Sequence, residues 1–165
     1  MQATATPDSA ASAAGARAAS ASAAAVLAKS LDGLPGAKRF TAVQRESMHR
    51  LAYTALASGD YALARRYYEG LAVYSGSDAR AWRGAAASAH AQEDYRSAWL
   101  YWTLVTLLEN GPPDASFYAA RCQAQLGDLT EACEGFELVS HDERADPALR
   151  GQAAQMLSLL QQRAA

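Results

Sequence analysis

An all-α solenoid of three helical hairpins, closed by a C-terminal capping helix, is the fold this 165-residue chain predicts. Three observations carry it. The first is a period: "GDYALARRYY" (59–68), "EDYRSAWLYW" (93–102) and "GDLTEACEGF" (127–136) follow one another at 34-residue spacing. The second is what the copies keep in register: Asp60, Asp94 and Asp128, then Ala64, Ala98 and Ala132, then the rings Tyr68, Trp102 and Phe136. The third is a small residue before each turn, at Ala52, Ala86 and Ala120. Unrelated amphipathic helices would not share a period across three units.

The elements follow in order. Residues 1–20 are Ala/Ser-rich, and the first 25 residues hold 13 alanines with little that packs, so disorder is expected there. Asp8 precedes the first basic residue, Arg17, and no Leu-rich stretch follows, so a cleaved export signal is not expected. Residues 21–44 form an N-terminal helical segment. Leu27, Leu31 and Leu34 share one helix face there before "GLPG" (33–36) ends it. A helix this short is marginal alone and needs a partner surface, so we expect these leucines to support a homodimer.

The repeats span 45–78, 79–112 and 113–144, with first helices near 46–58, 80–92 and 114–126. Second helices are expected near 62–74, 96–109 and 130–140, and "NGPPD" (110–114) breaks the chain between units. In residues 145–165, Asp146 can cap and Pro147 can start a last helix. Its stripe of Leu149, Ala153, Met156, Leu157 and Leu160 suits a solenoid cap.

The recurring residues have a physical logic. A small residue on the first helix and an alanine on the second let antiparallel helices approach closely. The ring four residues after that alanine lies one turn on along the same face and fills the space between units. Gly-Asp supplies a permissive turn and an N-cap; Glu93 stands where the other two units have glycine. A 34-residue helix–turn–helix unit of this pattern resembles the tetratricopeptide repeat.

Little in the chain points to chemistry. A formal charge of −2 without a Lys/Arg cluster excludes an electrostatic nucleic-acid binder. No window approaches about 18 uninterrupted apolar residues, so no membrane insertion is expected. Cys122 and Cys133 lack zinc spacing, and His49, His90 and His141 are scattered. Two thiols in this setting are expected free, in a reducing cytoplasm. With no phosphate loop and no nucleophile elbow, the chain is expected to be neither an enzyme nor a cofactor or metal protein.

Binding is the remaining class. In such an array the first helices line a concave groove. The residues expected there are His49, Tyr53 and Leu56, then Arg83, Ala87 and His90, then Phe117, Arg121 and Ala124. Aromatic, small and cationic side chains together suit an extended peptide with a few apolar anchors.

"FYAARCQAQLGDLTEACEGF" (117–136) resembles the third repeat of the class II chaperones of bacterial type III secretion, which has a Phe, an Ala-Ala pair, a Cys and a "QLGDL…A…GF" run in this order. "SGSDARAWRGAAAS" (75–88) is similar to that family's link into its second repeat. The resemblance covers roughly residues 27–160. It implies a cytoplasmic bacterial chaperone that binds an extended segment of a hydrophobic translocator protein in the groove before export. Phe117 and Ala87 match the family's groove, whereas His49 and Leu56 stand where aromatics are usual, and Arg83 replaces an aliphatic residue. The lysine and asparagine clamp that other tetratricopeptide proteins use to grip a C-terminal carboxylate is missing. A chaperone of the needle subunit, or a generic bacterial interaction scaffold, remain as alternatives.

Overall fold

The structure, a computed structural model, describes residues 25–26, 29–30, 33 and 40–164. Leu27, Leu31 and Leu34 lie outside the described residues, and so does the expected dimerisation face. From residue 40 on, the chain runs through seven helices and, among the described residues, no strand. They are α1 (Ala42–Ala57), α2 (Tyr61–Tyr74), α3 (Ala79–Ala91), α4 (Tyr95–Leu108), α5 (Pro113–Leu126), α6 (Leu129–His141) and α7 (Pro147–Ala164). Each packs on its neighbours in sequence, and α1 also touches α3, as in a stack of hairpins.

Local chemistry sets the helix starts. α1 begins four residues before the position expected from the apolar pattern, because Thr41 and Gln44 form a reciprocal capping box. Asp60, Asp78 and Asp94 each accept a backbone N–H in the first turn of the helix that follows. Asp128 makes no such bond. α5 begins on a proline, whose missing N–H costs nothing there. Asp146 caps α7 through the Leu149 amide at 2.9 Å.

The register residues form the core. Ala52, Ala86, Ala120, Ala64, Ala98 and Ala132 are fully or almost fully buried, and so are Tyr68, Trp102 and Phe136. They divide into three clusters, one per joint of the array. In the last, Ala153 and Leu160 are buried, with Leu149, Met156 and Leu157 packed alongside, so the C-terminal stripe caps the third unit. Buried alanines allow close helix approach, and the rings fill what remains. The turns inside the units share one backbone conformation: Gly59, Glu93 and Gly127 have φ of +83°, +62° and +89°. That region favours glycine, so Glu93 holds it under strain.

Candidate functional site

Three first helices, α1, α3 and α5, carry the nine residues expected on the concave face. Tyr53 is the most open of them, with its side chain 67% exposed on α1. Glu46, His49, Arg50, Tyr68 and Arg80 join it around an open cleft of about 440 Å³ at the first joint. Tyr68 doubles as core and cleft wall. Burial pushes its hydroxyl's pKa up, with the neighbouring Tyr53 adding to the shift.

His49 is buried, and its Nε2 lies 2.8 Å from Asp78 Oδ2. Asp78 also caps α3, so the contact ties α1 to the start of the next unit. Burial alone would raise the Asp78 carboxyl. The hydrogen bonds from His49 and Arg80 outweigh it and hold the carboxyl below the usual range.

Arg83 does not project freely into the groove. It pairs with Glu109 at the end of α4 and with Asp114 at the start of α5. Burial disfavours its charge, yet the bonds to Asp114 and Glu109 keep its pKa raised. The sequence places Arg83 among the groove positions; the fold uses its guanidinium as a strut between units. Leu56 packs against the first core cluster, and Ala87 is half-buried.

At the second joint His90 is half-buried with its ring edge-on to Tyr95, centroids 5.4 Å apart. Burial, then the charge of Arg121, push its pKa down and favour the neutral ring. Phe117, one of the nine expected groove positions, is only 4% exposed. It sits edge-on to Phe136 at 5.5 Å and to Tyr118 at 5.6 Å, as part of the third core cluster. Arg121 lies over both the Phe117 and Tyr118 rings, at 6.0 and 5.7 Å. Ala124 packs on the third cluster.

The fold thus gathers His49 with Tyr53 at one joint, and His90, Arg121 and Phe117 at the other. Sequence reasoning missed Tyr118, an exposed ring stacked on Trp102 at 5.0 Å. The signal was present: the 34-residue register aligns Tyr118 with Gly84, whose open side receives the ring of Tyr68. Position alone did not say which unit would show its aromatic ring to solvent.

A larger cleft of about 1000 Å³, at the third unit, contains none of the nine residues; Pro113, Ser116, Glu134, Leu138, Glu143 and Arg144 are among its walls. No group of His, Cys, Asp and Glu among the described residues is arranged to hold a metal ion. Cys122 is buried, and burial pushes its thiol up to about 11, against a smaller opposing effect of Arg121. No described helix is long and apolar enough to cross a membrane.

No family model matches the chain. The low calcium response locus protein H of Yersinia pseudotuberculosis serotype I (strain IP32953) is 27% identical over 116 residues, which cover 70% of this chain and 69% of that protein. A type III secretion complex from Aeromonas hydrophila superposes with a TM-score of 0.73 at 25% identity, covering 84% of this chain and 96% of that one. PcrH in complex with the chaperone-binding region of PopD gives a TM-score of 0.71 at 26% identity, covering 77% and 98%. In sequence and in fold, the chain is similar to the translocator chaperones of type III secretion, the family its third-repeat motif resembles.

Proposed function

We propose that this chain is a cytoplasmic chaperone that binds hydrophobic translocator proteins of a bacterial type III secretion apparatus before export. The work is binding, with no catalytic step, cofactor or metal. The observation that carries the reading is the first joint, where the exposed Tyr53 stands beside an open cleft walled by Tyr68 and Arg80. PcrH, of the same fold, binds the chaperone-binding region of PopD. Physically, a protein destined to insert in a membrane exposes apolar segments that aggregate in water. A partner that binds those segments lowers their free concentration by mass action, without ATP.

In this reading the client segment runs extended across α1, α3 and α5. Tyr53 supplies a broad apolar contact at low rotamer cost. Phe117 shapes the floor from below, and Arg121 with the neutral His90 offers hydrogen bonds to client carbonyls. Leu56, Ala87 and Ala124 leave room for side chains between these points. Arg83 and His49 act indirectly, by fixing the angle between units.

Co-expression with candidate translocators, affinity capture and mass spectrometry test the reading. A translocator recovered at a stoichiometric level supports it. Recovery of a needle subunit, or of a folded partner in its place, overturns it. Calorimetry with the PopD chaperone-binding peptide then addresses the groove: Tyr53→Ala is expected to cost about 1–3 kcal/mol of binding with folding intact.

A further inference from the structure

Half-buried arginines elsewhere in the array hold carboxylates. Arg65 pairs with Glu69 and Asp94, and Arg83 with Glu109 and Asp114. Arg121, half-buried on α5, pairs with no acid among the described residues. What it touches is aromatic: its guanidinium lies over the rings of Phe117 and Tyr118. Ring faces attract the charge but accept none of its N–H bonds, and a cation partly out of water is stabilised by a counter-ion.

The sequence explains why no counter-ion comes from within. On α5 the residues three and four positions from Arg121 are Phe117, Tyr118, Ala124 and Gln125, none of them acidic. Helices α3, α4 and α5 meet in the second core cluster, and together they contain a single carboxylate, Asp114, which Arg83 already holds. His90 feels the charge of Arg121, and as a neutral ring it brings no negative charge.

A second donor stands at the same joint. Trp102 is only 6% exposed, and its indole Nε1 is buried without a hydrogen-bond partner. A buried N–H left unpaired costs free energy that an acceptor would return. The Trp102 ring is stacked on Tyr118, with centroids 5.0 Å apart. Tyr118 is partly open to solvent, and its hydroxyl makes no hydrogen bond among the described residues. Ring contacts and the Arg121 charge hold it in place.

We propose that the second joint is a carboxylate-binding subsite, where Arg121 pairs with an acidic side chain and Trp102 Nε1–H donates to it once Tyr118 turns aside. The source of the acid rests on the client reading. A segment running extended across α1, α3 and α5 presents side chains, not its terminus, at the middle of its path. The occupant is therefore an Asp or Glu within the client segment. A guanidinium has five N–H donors, enough for a client carbonyl and this acid together. An unpaired cation prefers a carboxylate to the matching amide. The second joint thus selects for charge, whereas the first offers Tyr53 for apolar contact, and the two together fix the direction of the client.

Two measurements test it, and the first needs no translocator. In proton–nitrogen correlation spectra of the full chain, N-acetyl-glutamate methylamide should shift the Trp102 indole resonance, assigned with Trp102→Phe. The uncharged N-acetyl-glutamine methylamide should leave it in place. Arg121→Gln should abolish the response with helical circular dichroism unchanged. Equal shifts with both compounds, no shift with either, or a response that survives Arg121→Gln would overturn the subsite. In the second measurement, the acidic residues of the PopD chaperone-binding region are replaced one at a time by their amides, and binding is followed by calorimetry. One replacement should weaken binding to the wild type about tenfold and binding to Arg121→Gln by about twofold or less. A region that binds with no acidic position coupled to Arg121 would overturn the assignment to the client. A region that does not bind, beside a chain that still answers the glutamate compound, would sink the client reading and leave the carboxylate site supported.

Discussion

Two joints of the array repeat one backbone register with different side chains. At the joint of units one and two, Tyr68 lies against Gly84 so closely that an added Cβ would stand 2.3 Å from its ring. At the joint of units two and three, Trp102 meets Tyr118, and two rings stack 5.0 Å apart. The first joint is fastened by His49 and Asp78 at 2.8 Å, the second by Arg83 pairing with Glu109 and Asp114. A period fixes where neighbours meet, while the residues at the meeting point decide whether the joint shows a cleft or a ring. The first joint has the cleft with Tyr53 over it; the second has Tyr118 under Arg121.

The contrast is sharpest under substitution. Phe136→Ala, deep in the third cluster, should cost about 3–5 kcal/mol in chemical denaturation, because a fully buried ring leaves a cavity. A stable variant there would mean that α7 closes over the gap. Gly84→Ala comes next, at about 3 kcal/mol, since the new methyl collides with a ring that is itself packed. Tyr118→Ala, the register equivalent at the other joint, should cost only about 1 kcal/mol, the worth of a half-open stacked pair. Equal losses at the two sites would remove the distinction between the joints.

The first joint should also carry an acid-sensitive component. The Asp78 carboxyl is held below its ordinary value in the fold. Its contribution is therefore complete above the unfolded carboxylate range and fades as pH falls through the lower folded value. Asp78→Asn keeps a cap of similar strength. Denaturation midpoints of this variant should fall less steeply than those of the wild type between about pH 5 and 3. Parallel curves would assign the acid sensitivity elsewhere. The smallest effect belongs to the turn of unit two: Glu93→Gly should stabilise by about 0.5–1 kcal/mol, since glycine adopts the observed positive φ without strain but is freer when unfolded.

Much of this architecture was legible from residue types. The alanines at 52, 86 and 120 and the rings at 68, 102 and 136 announced both the period and the core, because close helix packing tolerates few alternatives. Asp60, Asp94 and Asp146 cap α2, α4 and α7 as their residue types suggest, whereas the Thr41–Gln44 box begins α1 earlier than the apolar pattern suggests and Asp128 makes no capping bond. The nine groove positions were assigned by helix phase, which gives the direction of a side chain but not its neighbours. Phe117 shares that phase with Arg83 and His49, yet one is core, one a strut and one a buried link.

The sequence by itself thus determined the period, the packing positions, the turn chemistry and the third-repeat motif, since each depends on residues close together in the chain or locked to its repeat. The tertiary structure alone decided which polar side chains were consumed in joining units. It also decided which rings stayed open, Tyr53 and Tyr118 among them. The pairings of Arg83, for one, reach Glu109 and Asp114, 26 and 31 residues away. Pairings of that range are settled by how the units stack, and a local pattern of residues does not encode them.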